Sequence, residues 1–151
     1  MATTVNLPVK DKNPVAAIQG FLARLLTEGG MQGVLVPMHL GGGTPMPTLV
    51  TEPGELDRAD PLAPAFPLNA AKVVARLTHG HSGAKVAAVM RPCEIRAFLE
   101  LVKLNQGSLD EVLIIGADCL GAYQNQDYMR FRRVGEDEPV QTTLGFLGKT
   151  G

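Results

Sequence analysis

The sequence predicts an α/β fold: a parallel or mixed sheet with helices on both faces, and a Pro/Gly-rich loop in the first half. Two observations predict the core. Short apolar runs such as Lys85–Met90 (KVAAVM) and Glu111–Ala117 (EVLIIGA) carry no polar alternation, as strands buried on both faces require. Between them lie stretches with apolar residues at helical spacing, which places crossover helices on the sheet. The loop follows from a third observation, the uneven proline content. Gly and Pro make up 28 of the 151 residues, about 19%, against about 12% in average proteins. Seven of the eleven prolines fall between Pro37 and Pro67.

Taken in order, Asn13-Pro14 opens a helix, with Asn13 as cap and Pro14 in the first turn. Val15, Ile18, Leu22, Leu25 and Leu26 share one face, and Gly29-Gly30 ends it. Gly33–Leu40 is a short apolar strand, and Gly41 to Thr44 is a turn. Pro45–Thr51 returns as a second strand, placed at the sheet edge because Pro45 and Pro47 donate no ladder hydrogen bond. Glu52–Pro67 is too long for a plain connector, so it is functional or packs as a unit. Asn69 caps a helix over Ala70–His79 with Val73, Val74 and Leu77 inward, and Gly80 ends it. The strand Lys85–Met90 follows. Pro92 then begins a helix carrying Ile95, Phe98, Leu99 and Val102, stopped at Gly107, and Glu111–Ala117 is the next buried strand. Beyond Gly121 the pattern dissolves into a polar stretch, and Val140–Leu147 is expected as one more strand. The chain divides into an α/β domain over 1–123 and a polar extension over 124–151.

The length suits one domain with a real core. A net charge of −1 leaves no electrostatic footprint for nucleic acid. No apolar stretch approaches the roughly 20 residues of a membrane span. Met1–Lys12 lacks the apolar region of a secretory signal, and two cysteines do not make a disulfide scaffold, so a cytoplasmic location is expected.

The chemistry concentrates at two repeated junctions. One strand runs into Arg91-Pro92-Cys93-Glu94 and the other into Asp118-Cys119-Leu120-Gly121. In open α/β sheets the edge at the strands' C-terminal ends is where ligands bind. If the two strands are neighbours, Cys93 and Cys119 share that rim, near enough to hold one ligand. Cys93 also stands at a helix N-terminus, which stabilises a thiolate, the form that metals and iron–sulfur clusters take. Against this stands the base rate that free cysteines are small buried hydrophobes. His79 and His81 flank a helix end, where a cation-capable side chain suits the dipole, and His39 carries no ligand signal. The Gly41–Thr44 turn lacks the spacing of a nucleotide loop. The acidic run Glu136–Glu138 reads as a solvated loop. Tyr123, Tyr128 and Phe131, interleaved with Arg130, Arg132 and Arg133, read as an exposed mixed segment.

Val86–Gly121, with Pro92-Cys93 opening a helix and Gly116-Ala117-Asp118-Cys119 closing a strand, resembles one family. These are the beta subunits of deazaflavin-coenzyme-dependent hydrogenases and dehydrogenases, formate dehydrogenase beta subunits included. The likeness extends over most of Asn13 to Tyr123. It implies an electron-transfer subunit carrying FAD and 4Fe-4S clusters, working with other subunits of a redox complex and a deazaflavin or nicotinamide coenzyme. By the same likeness Cys93 and Cys119 each give a thiolate to a cluster; the family's flavin-binding residues are less clearly matched, and Asn69 and Arg91, at a helix start and a strand end, are the candidates by position. The family's closely spaced Cys pair has no match here. The chain is then a fragment cut before a Cys-rich half, is completed by another chain, or has lost the site; its ending at Lys149-Thr150-Gly151 favours the first. Two thiolates do not fill a cluster's four positions, so an incomplete 4Fe-4S site is expected. The competing reading is a non-catalytic assembly module that docks a larger redox complex. A thiol enzyme built on Cys93 is less favoured, because no C-x-x-C motif is present.

Overall fold

Asn13 begins the first helix as its spacing predicts: its Oδ1 accepts the Ala16 N–H at 2.9 Å, and Pro14 takes the first turn. The computed structural model describes residues 3–41, 43–80, 83–134 and 139–150. Helix α1 spans Pro14–Thr27 and buries Val15 and Leu22. Gly30, with φ at 66°, turns the chain into strand β1 (Gly33–Met38). Strand β2 (Met46–Val50) returns antiparallel beside it, with Val34 opposite Val50 and Met38 opposite Met46. A 3-10 helix (Pro53–Arg58) leads to α2 (Ala71–Thr78), β3 (Val86–Met90), α3 (Pro92–Lys103) and β4 (Val112–Gly116). Helices α4 (Asn125–Val134) and α5 (Pro139–Thr150) complete the described chain.

The sheet order is β2-β1-β3-β4. β1 pairs parallel with β3, and β3 parallel with β4. Side chains alternate between faces along each strand, so the sheet feeds two cores. Val34, Val36, Ala87 and Val89 face α1 and the 3-10 helix, joined by Leu22 and Leu56. Leu35, Ala88 and Met90 face α2 and α3, joined by Val74 and Phe98. The α/β sheet covered on both faces is therefore present, with the proline-bearing strand at an edge.

Four expectations are corrected. Glu111–Ala117 is not fully buried: β4 is the other edge, and Leu113 is 40% exposed because α1 does not reach over it. Leu99 points outward on α3, while Phe98 fills the core. Val140–Leu147 lies within helix α5, not in a strand. Val140, Leu144 and Leu147 recur at helical spacing, and that period prevails over the strand preference of Val, Thr and Phe. The polar stretch after Gly121 also contains a helix, α4, which buries Tyr128 completely. The loop over residues 52–67 packs as a unit: it sends Leu56 and Ala59 into the core and buries Asp60.

Candidate functional site at the C-terminal rim of the sheet

β3 and β4 stay in register to Met90 and Gly116, and the Ala117 N–H donates to the Met90 carbonyl at 2.9 Å. Cys93 and Cys119 each lie three residues beyond that last register pair. The chain leaves both strands at the same rim, and neighbouring strands are about 4.8 Å apart. Cys93 sits in the first turn of α3, and Cys119 in the extended segment that leads to α4. Both thiols are free and exposed. The core-hydrophobe reading of these cysteines does not hold.

At the same rim stands Arg91, the first residue beyond β3. It is buried, unlike most arginines. Its Nη2 donates to the Ala63 carbonyl at 2.5 Å, and its guanidinium lies 4.0 Å from the centre of the Phe66 ring. Burial pulls this guanidinium below its ordinary value, opposed by the negative potential of Glu94, Cys119, Cys93 and Asp60. Both cysteines thus lie within electrostatic reach of one cation. A cavity of about 10 Å³ beside Arg91, bounded by Phe66, Pro37 and Glu94, has room for about one water molecule.

Glu94 holds this corner together. It is buried on α3, yet Oε2 accepts the Arg91 N–H and Oε1 the Ala70 N–H, each at 2.9 Å. One carboxylate therefore caps α3 and anchors the start of α2. Asn69 precedes the N-cap residue Ala70 of α2; its Oδ1 accepts the Ala71 N–H at 2.9 Å, and the residue is at the surface.

A second polar cluster was not legible in the sequence. His39 follows β1 at the same rim and is buried, with Nε2 3.0 Å from Asp60 Oδ2. Thr143 of α5 donates to that same oxygen at 2.5 Å. Tyr128 lies close enough for the Asp60 charge to act on its phenol. Burial first, then Asp60, push that phenol up to about 12, against the pull of Arg132. The one available signal was the position of His39 just past a strand's C-terminal end. The partners come from distant stretches of chain.

The aromatic and basic segment is not the exposed stretch its composition suggests. Tyr128 is buried, and Tyr123 stacks on Phe131 with ring centres 5.2 Å apart. Arg132 Nη1 donates to the Gly43 carbonyl at 2.7 Å. Arg130 does remain exposed, facing Asp127 at 3.6 Å. His79 sits exposed at the end of α2. His81, Glu136–Glu138 and the side chain of Arg133 lie outside the described residues. Among the described residues no group of three or more His, Cys, Asp or Glu is arranged to hold a metal. No helix there is long and apolar enough to cross a membrane.

No protein-family model matches the chain. A curated relative does: the F420-dependent formate dehydrogenase subunit beta of Methanocaldococcus jannaschii, 36% identical over 76 residues. That match covers 50% of this chain and 19% of the relative, so the chain corresponds to a small part of the relative's length. Over half its length, then, the chain is similar to a formate dehydrogenase beta subunit, in keeping with the family its Pro-Cys and Gly-x-x-Cys junctions resemble.

Proposed function

We propose that the chain is an electron-transfer portion of an oxidoreductase beta subunit, and that Cys93 and Cys119 supply two thiolates to a 4Fe-4S cluster. The observation that carries this reading is the equivalent placement of two exposed cysteines beyond neighbouring parallel strands. Soft sulfur donors suit iron–sulfur clusters. The α3 N-terminus and the Arg91 guanidinium both favour negative charge at this rim. A cluster of this type takes four ligands, so the two cysteines form half a donor set, completed by residues of another chain or another part of the subunit. The cluster would carry single electrons, and this chain's part is to present the two thiolates beside a buried cation.

FAD, the other cofactor the resemblance implies, finds no cradle at the Arg91 guanidinium. That group is turned onto Ala63 and Phe66, and the space beside it is too small for a ring system. Any flavin contact by this rim falls instead on its outer surface, where Asn69 is exposed. A deazaflavin or nicotinamide coenzyme belongs to the reaction of the whole subunit in this reading, with other subunits as partners.

The test is anaerobic reconstitution of the chain with iron and sulfide, beside Cys93→Ser and Cys119→Ser. Wild type is expected to retain iron below four per chain after desalting, and either single variant to fall to the level of the double variant. Iron retention indifferent to both substitutions overturns the ligand assignment. A stable four-iron cluster on the chain alone overturns the half-set.

A further inference from the structure

Asp60 is joined to parts of the chain that local sequence does not link. Its Oδ2 receives Thr143 of α5 and lies against His39 at the end of β1, while its backbone N–H donates to the Pro37 carbonyl at 2.7 Å. Thr143 and Asp60 are both fully buried. Two further bonds tie the same C-terminal segment down: Arg132 to the Gly43 carbonyl, and the Tyr123 N–H to the Pro64 carbonyl at 2.8 Å. Residues 123–134 and 139–150 thus lie as a strap across the loops at the C-terminal rim.

Two features leave this strap weakly held. His39 Nδ1, Asp60 Oδ1 and the Tyr128 hydroxyl are buried without a hydrogen-bond partner among the described residues. Opening returns all three to water, which offsets the bonds that closure makes. Helix α5 also contains Gly145 and Gly148, at which an added Cβ would meet nothing within 4 Å. Neither glycine is required by packing, yet both lower helix stability.

We propose that α4 and α5 form a strap that opens and closes over the C-terminal rim, with the Asp60–Thr143 hydrogen bond as its clasp. The segment carrying Cys119 leads directly into the strap, so opening frees the path of Cys119 relative to Cys93. The strap is independent of whether those cysteines bind a cluster.

Hydrogen exchange followed by mass spectrometry tests this on the full chain. Thr143→Val removes the donor at nearly constant shape, and exchange over 123–150 is expected to rise at least tenfold. Peptides from β1 and β3 are expected to stay unchanged. Thr143→Ser, which keeps the hydroxyl, is expected to restore slow exchange. The Gly145→Ala, Gly148→Ala pair is expected to slow it below wild type. In Thr143→Val the Tyr128 phenol is expected to titrate closer to its ordinary range, read at 295 nm. Exchange that rises equally across the sheet, or does not rise over 123–150, overturns the proposal. So does failure of the serine variant to restore protection.

Discussion

Replacing Glu94 with alanine is expected to be among the most damaging single changes in this chain. The side chain is 3% exposed and makes two charge-assisted hydrogen bonds, to the N–H groups of Arg91 and Ala70. Such bonds to a charged group contribute about 1.5–3 kcal/mol each. Removing the carboxylate leaves two N–H donors without their acceptor at the starts of α2 and α3. It also takes from the buried Arg91 the largest of the negative charges that support its ionised form. The two bonds together give roughly 3–6 kcal/mol, and partial rehydration of the corner places the expected loss near 4 kcal/mol. At about 2–4 °C per kcal/mol for a chain of this size, the melting temperature should fall by roughly 8–16 °C. Glu94→Gln keeps one acceptor oxygen and should lose about half as much. Urea unfolding of wild type and both variants measures this. A loss below about 1 kcal/mol for Glu94→Ala, or equal losses for the two variants, would refute the double-cap reasoning.

Tyr128 sets a pH dependence at the alkaline end. Its folded pKa, raised to about 12, lies above the unfolded value of about 10, so its stabilising effect is complete below pH 10 and is lost as pH rises towards 12. Urea midpoints should therefore fall as pH rises from about 10 towards 12, with a shallower slope in Tyr128→Phe; identical slopes would remove the phenol from the account. Gly107→Ala is expected to cost about 1–3 kcal/mol, because its Cβ would stand 3.1 Å from the Ala75 Cα and 3.2 Å from Phe98 Cε2. Gly33→Ala serves as the contrast: its Cβ meets the tip of the exposed, movable Leu49 side chain, so stability should stay within about 0.5 kcal/mol of wild type. Phe98→Ala empties the centre of the α2–α3 core and should cost about 3–5 kcal/mol by denaturant unfolding, if the ring carries that core as its full burial indicates.

Local signals were enough for much of this fold. Asn13-Pro14 and Pro92 mark helix starts through the geometry of their own residues, and the apolar runs of β1 and β3 need only their neighbours to be recognised as buried strands. The order βαβ then makes β3 and β4 adjacent and parallel, which puts the exits to Cys93 and Cys119 on one rim. An apolar run does not say how much of a sheet a helix covers, so the exposure of Leu113 at the β4 edge appeared only with the position of α1. In α5 two local signals conflicted, strand-favouring residues against helical spacing, and docking of Thr143 onto Asp60 is a contact that only the helix was seen to make. The polar centres were the least legible. Asp60 meets His39 across 21 residues and Thr143 across 83, and Glu94 reaches Ala70 across 24. Spacings of that length carry no periodicity, because such partners are chosen by the packing of whole elements. From Asn13 to Ala117 the sequence by itself determined which segments form the main strands and helices, and where the thiols leave the sheet. Only the tertiary structure decided that Arg91 turns inward, that Glu94 binds two helices, and that Asp60 gathers β1 and α5, since a buried charge finds its partners only after the layers have closed around it.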